Sequence, residues 1–145
     1  MKLLRSAAAR DLVLLLSRIG LGVVFIAHGW QKFQTNGLDR TAAGFEQIGV
    51  PAPTLSAYYA TGIELLGGVA LILGVLTPVA GVLLALDMVG ALAFVHLSNG
   101  VFVANGGWEL VAALGLLSLT LAAVGSGRVS VDNLLAPSAR QKVAA

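Results

Sequence analysis

The chain has 145 residues, 57% hydrophobic and 11% charged, with a net charge of +2 and a mean hydropathy of +0.89. A water-facing domain usually carries about 25% charged residues, so lipid must be the solvent for much of this surface. The few charges sit mostly near the ends, with no basic run interleaved with aromatics, so no nucleic-acid partner is expected. The absence of cysteine excludes disulfides, thiolate catalysis, a thiol relay, iron–sulfur clusters and cysteine-ligated zinc.

In chain order, Met1-Lys2-Leu3-Leu4-Arg5 resembles the charged start of a signal peptide. The apolar stretch that follows, 12–33, is longer than the usual ~7–15-residue apolar region and is not closed by an A-x-A site, so an uncleaved first span is predicted. Three further windows reach the ~20 apolar residues that cross a bilayer, at 55–76, 79–97 and 108–124. The second and third are separated by Thr77-Pro78 alone. Proline lacks a backbone donor and stops a helix, so a tight helical hairpin is expected there. The connection 34–54 contains a short amphipathic piece, 41–48, suited to the membrane surface, and the connection 98–107 is rich in Asn and Gly. Residues 1–133 read as one transmembrane domain and 134–145 as a mobile polar tail.

Lys2, Arg5 and Arg10 precede the first span, and Arg128, Arg140 and Lys142 follow the fourth. The other end carries only Arg40 and Lys32. The expected fold is therefore an all-α integral membrane bundle of four transmembrane helices with both termini cytoplasmic. Glycines such as Gly22, Gly67, Gly68, Gly81 and Gly115 predict close helix packing.

Ionisable groups inside lipid are costly and turn toward the bundle interior. Arg18, His28, Glu64 and Asp87 fall within the spans, and Lys32, His96 and Glu109 at their ends. Counting the ~1.5 Å helical rise from each span's start puts Arg18 roughly 9 Å deep and Asp87 roughly 12 Å deep. They are expected to meet as a buried ion pair, with Glu64 beside them near mid-membrane. A second polar layer is expected at the opposite mouth from His28, Lys32, His96, Asn99, Asn105 and Glu109, with Lys32 snorkelling toward the headgroups. Asp87 and His96, nine residues apart, lie on nearly opposite faces of a regular helix, so both reach the bundle axis only where the helix bends. His28, His96 and Glu109 form no known metal motif, and no metal is expected. No phosphate loop, nucleophile elbow or dinucleotide fingerprint is present.

Several segments form a distinctive series: Arg18-Ile19-Gly20-Leu21-Gly22, Ala27-His28-Gly29-Trp30-Gln31-Lys32-Phe33, Ile63-Glu64-Leu65-Leu66-Gly67-Gly68, Leu73-Gly74-Val75-Leu76-Thr77-Pro78 and Leu86-Asp87-Met88. The series continues through His96-Leu97-Ser98-Asn99-Gly100, Asn105-Gly106-Gly107-Trp108-Glu109 and Gly125-Ser126-Gly127-Arg128-Val129-Ser130-Val131-Asp132. Together, and in the same order across residues 12–133, these segments resemble the DoxX family. The resemblance implies a small four-helix protein of a bacterial-type inner or plasma membrane. It implies relatives that include the DoxD-type membrane subunit of thiosulfate:quinone oxidoreductase, and others linked to redox metabolism and oxidative-stress homeostasis. Arg18, His28, Lys32, Glu64, Asp87, His96, Asn99, Asn105 and Glu109 match the family pattern. The chain resembles the short form without an added soluble domain, so thiosulfate chemistry is not carried over.

The expected function is that of an accessory or quinone-interacting subunit in redox metabolism, at most one part of a membrane oxidoreductase. A quinone needs an apolar slot with hydrogen-bond and proton partners, for which His28, Glu64 and His96 are candidates. Electrons would come from an oxidoreductase partner protein. A non-catalytic membrane anchor for a soluble oxidoreductase and a small transporter or permease are the alternatives, the last calling for a homo-oligomer to give four short helices room.

Overall fold

A computed structural model describes residues 6–135, and the regular structure among them is all helical. Lys2, Arg5, Arg140, Lys142 and the part of the expected 134–145 tail from 136 onward lie outside the described residues, while Leu134 and Leu135 end a short helix. Helix α1 (Ala7–Trp30) starts at Ser6, whose hydroxyl accepts from Ala9 N at 3.2 Å and satisfies one free donor of the first turn. It runs into a π-helical turn, Gln31–Asn36. Helix α2 (Leu38–Gln47) covers most of the stretch expected to lie at the membrane surface. Helix α3 (Pro53–Leu73) begins on a proline and stops at Gly74 in the left-handed conformation, φ +68°. Helix α4 (Thr77–Ala91) follows with Pro78 in its first turn, completing the tight hairpin read at Thr77-Pro78.

Helix α4 also ends in a π-helical turn, Leu92–His96, before a short 3-10 turn, Leu97–Asn99. Helix α5 (Glu109–Val124) leads through Gly125 to α6 (Val131–Leu135). Three helical stretches are long and apolar enough to cross a membrane: Ala7–Asn36, Pro53–Leu73 and Thr77–Asn99. Helix α5 is equally apolar but has 16 residues, below the ~20 that span a bilayer.

Helix α1 packs chiefly along α3, and α4 along α5, with α3 and α4 joined through their turn. The first contact is close because two glycines face each other: a Cβ on Gly22 would come 2.6 Å from the carbonyl of Gly68, and one on Gly68 2.8 Å from that of Gly22. Phe25, Leu71, Leu84 and Leu121 fill the core between the helices and are buried to 1% or less. Bulky apolar side chains such as Leu12, Leu16, Leu66, Leu86 and Leu116 point outward. An outward apolar surface of this kind suits lipid.

The α3–α4 turn serves as a ruler for levels in the bundle. Glu64 lies ten residues before Gly74 and Asp87 ten after Thr77, so each stands about 15 Å above the turn on neighbouring helices. Arg18 lies at the turn itself, because its guanidinium occupies the space beside Gly74. His28, ten residues further along α1, rises about 15 Å to the level of the carboxylates.

Candidate functional site

The two polar groups of the molecule are regrouped relative to the expectation. Arg18 and Asp87 do not pair; the ion pairs among the described residues are Lys32–Glu64 and Arg128–Asp11. The depth estimate took all spans to start level. Helix α1 begins three turns below the hairpin turn instead, which leaves Arg18 a full 15 Å short of Asp87.

At the turn end, Arg18 is completely buried and its Nη2 donates to the carbonyl of Val129. Its Nε and Nη1 are buried without a hydrogen-bond partner among the described residues, and Asp132 lies within electrostatic reach. Asp132 in turn caps α4: Oδ1 accepts from Leu76 N at 2.8 Å and Oδ2 from Thr77 N at 3.2 Å. Its own N–H donates to Gly74 O at 2.9 Å. Leu76 holds φ +49°, a left-handed conformation that costs a bulky residue on the order of 1–3 kcal/mol, and the Asp132 carboxylate holds it there. Ser130 closes the segment by donating to Gly127 O at 2.7 Å. The stretch after α5 thus forms a clasp across α1, α3 and α4.

At the opposite, loop end, Lys32 Nζ donates to both oxygens of Glu64, at 2.9 and 2.7 Å. Lys32 is therefore mostly buried and held by Glu64, rather than snorkelling outward, and Glu64, 3% exposed, is not alone. The π-helical turn begins one residue before Lys32 and re-aims the end of α1 inward. Thr41 of α2 donates to Gly37 O at 3.0 Å and lies 3.4 Å from Lys32 O, which fixes α2 against that turn. His28 is half-buried and within electrostatic reach of Glu64.

Above the Gly67–Leu84 contact the hairpin helices part around a cavity of about 460 Å³. Its polar lining is Lys32, Glu64 and Asp87, with Ser56 and His96 higher up. Asp87, 9% exposed, makes no hydrogen bond or ion pair among the described residues. It feels Lys32, Glu64 and the Tyr59 phenol only through space. The bend needed for Asp87 and His96 to share one site is the π-helical turn at Leu92–His96, and both line the cavity.

Other expected site residues serve the loop. His96 Nδ1 lies 2.6 Å from Gly106 O, and Asn99 Nδ2 donates to Val95 O at 3.2 Å. Glu109 Oε1 accepts from Val103 N at 2.7 Å. Asn105 is exposed in the same loop. These side chains shape residues 97–109 above the cavity instead of entering it, except His96.

Sequence reasoning missed Tyr59, whose hydroxyl donates across the helix pair to Leu83 O at 3.2 Å. It also missed Phe45, Val50 and Pro51, which line the cavity toward the loop end, and Asp132. The cavity walls were readable as four-residue stripes: Ser56, Ala60 and Glu64 on α3, and Asp87 and Ala91 on α4, continued by Val95 in the π-helical turn. Asp132 carried a weaker signal, a carboxylate just after the Gly125–Gly127 helix stop.

Fold and site together define a small, multi-pass helical membrane protein with a charged floor to an otherwise apolar cavity. The DoxX family profile matches residues 13–97, which hold Lys32, Glu64, Asp87 and His96, and the chain belongs to the DoxX family. It is 38% identical over 118 residues to "Putative oxidoreductase CatD" of Bacillus subtilis (strain 168), covering 81% of this chain and 83% of the relative. It is 37% identical over 135 residues to "Uncharacterized membrane protein Rv3486" of Mycobacterium tuberculosis (strain ATCC 25618 / H37Rv), covering 84% and 80%. "Inner membrane protein YphA" of Escherichia coli (strain K12) is 30% identical over 131 residues, covering 86% and 91%. No solved structure matches the chain.

Proposed function

We propose that this protein is a quinone-interacting accessory subunit of a membrane oxidoreductase, with the ring bound in the cavity between α3 and α4. The observation that carries the reading is Asp87, a buried carboxylate without a hydrogen bond among the described residues, facing a cavity of about 460 Å³ beside the Lys32–Glu64 pair. That volume lies in the ~300–1,000 Å³ range of small-molecule sites, which are mostly apolar with a few convergent polar groups. A quinone carbonyl accepts a hydrogen bond from Lys32, whose charge steadies the oxygen as electron density builds on it. Reduction to the quinol takes two electrons and two protons. The two protons come from water and reach the quinone oxygens through Glu64 and Asp87, each taking one up and passing it on, and the electrons come from the redox group of a partner protein. The name of the Bacillus subtilis relative points toward the same oxidoreductase setting.

In this reading α5 completes a four-span bundle and the clasp end faces the cytoplasm, following the positive charges of Arg10 and Arg128. The protein lies in a bacterial-type inner membrane, as the name of the Escherichia coli relative suggests. The cysteine-free chain makes topology simple to read. Asn36→Cys and Val101→Cys are expected to react with an impermeant maleimide from outside intact cells, and Leu76→Cys only after lysis.

Function is tested by extracting the protein from native membranes in mild detergent and measuring bound quinone per protein. A near-stoichiometric quinone that falls at least about tenfold in Glu64→Gln supports the reading. An empty protein, or a Glu64→Gln variant as loaded as the parent, sinks it. Asp87→Asn retaining quinone leaves it standing, with Glu64 as the sole proton carrier.

A further inference from the structure

We infer that the cavity is filled sideways from the bilayer, through the gap between α3 and α4, and that its ligand carries a linear apolar tail leaving the protein past Gly90. The inference rests on the cavity being a ring-binding site and adds the route and the shape of what enters.

Two nested stripes of side chains carry the argument. The inner one bears the buried carboxylates Glu64 and Asp87. The outer one, Leu86 and Gly90 on α4 and Phe94 in the π-helical turn after it, with Tyr59 opposite on α3, lines the same cavity yet looks outward. Leu86 is 57% exposed, Phe94 44% and Tyr59 43%, on helices long and apolar enough to cross a membrane. Residues that both line a cavity and face lipid mark its open side. The level of the floor agrees, since Glu64 is the twelfth of the 21 residues of α3 and so stands at mid-span. Toward the water side the cavity is lined by Phe45, at the end of α2, and by Val50, both partly buried.

Gly90 supplies the exit. A Cβ placed there would meet no heavy atom within 4 Å, so the space beside α4 at the cavity's rim is empty. Gly67, one helix face away on α3, is filled by Leu84 at 3.0 Å. Helical glycine is less stable than alanine by about 0.8–1.0 kcal/mol, and at Gly90 no packing against protein repays it. An apolar tail lying over that groove would use the space. The ligand class is therefore a ring with hydrogen-bonding oxygens joined to a hydrocarbon or isoprenoid chain, drawn from the membrane and not from water.

The test uses the full chain in lipid nanodiscs and two probes, a tail-less dimethoxy-methyl-benzoquinone and the same ring on a decyl tail ending in a photoreactive diazirine. Crosslinks are expected at Leu86, Gly90, Phe94 or Tyr59, and excess tail-less ring should suppress them. Gly90→Leu should cut crosslinking about tenfold while weakening binding of the tail-less ring by less than about threefold, with the thermal midpoint unchanged. Gly90→Ala, which adds one methyl, should give a smaller fall and is read if Gly90→Leu is poorly made. Crosslinks confined to residues 97–108 or to α2, or crosslinking indifferent to Gly90→Leu, would overturn the lateral route while leaving the ring site intact. If neither probe binds the parent protein, the ring site falls and the route with it.

Discussion

The two polar regions of this bundle use similar residues to opposite ends. In the clasp, each carboxylate oxygen of Asp132 accepts a backbone N–H, and the Arg18 guanidinium lies in the gap left by a glycine. At the cavity, Lys32 and Glu64 are paired, but Asp87 beside them has no hydrogen bond or ion pair among the described residues and faces open space. Buried charges cost several kcal/mol each unless partnered, and such a cost serves either a rigid joint or a binding site. The clasp is the joint and the cavity the site. Polar residues in lipid therefore have to be sorted by what surrounds them before a role is assigned.

That contrast can be broken, and the largest effect should come from Lys32→Met. It leaves Glu64 buried without its cation, and breaking a buried pair costs about 3–5 kcal/mol. Because Lys32 retains some exposure, the lower end, near 3 kcal/mol, is expected in thermal unfolding in detergent, and Lys32→Met/Glu64→Leu should recover much of it. Gly74→Ala comes next, at about 2–4 kcal/mol, from a left-handed φ and from crowding of Arg18 and Ser130. Asp132→Ala removes the cap of α4 and should cost about 1–2 kcal/mol. Smallest is Asp87→Asn, expected within about 1 kcal/mol of the parent because no hydrogen bond is lost. Should Asp87→Asn prove as damaging as Asp132→Ala, Asp87 is a joint residue and the division between the regions fails.

The helices themselves were legible because hydropathy and helix breakers act locally. Thr77-Pro78 marked the hairpin, and the apolar windows around 55–76 and 79–97 match α3 and the run from α4 to Asn99 within a few residues. The partners of Arg18 and Asp87 were not legible, since depth counting requires knowing where each helix starts relative to its neighbours. Helix α1 reaches down to Ala7, five residues before the predicted start of its span, and that offset moves Arg18 from Asp87 to Val129. The π-helical turns were equally silent, because an inserted residue changes hydrogen-bond register without changing composition. One trace of them was available, in the conflict between Asp87 and His96 on a regular helix, which the turn at Leu92–His96 resolves.

The clasp also sets a timetable. Arg18 is synthesised with the first helix, but the carbonyl it donates to belongs to Val129, 111 residues later. At ~5–20 residues per second, roughly 5–20 s of translation separate donor from acceptor. Through that interval the guanidinium has to wait at the water boundary or within the insertion machinery, so α1 settles to its final depth last although it enters first. A nascent chain that stops before Val129 still lacks the carbonyl to which the guanidinium of its first helix donates in the finished fold.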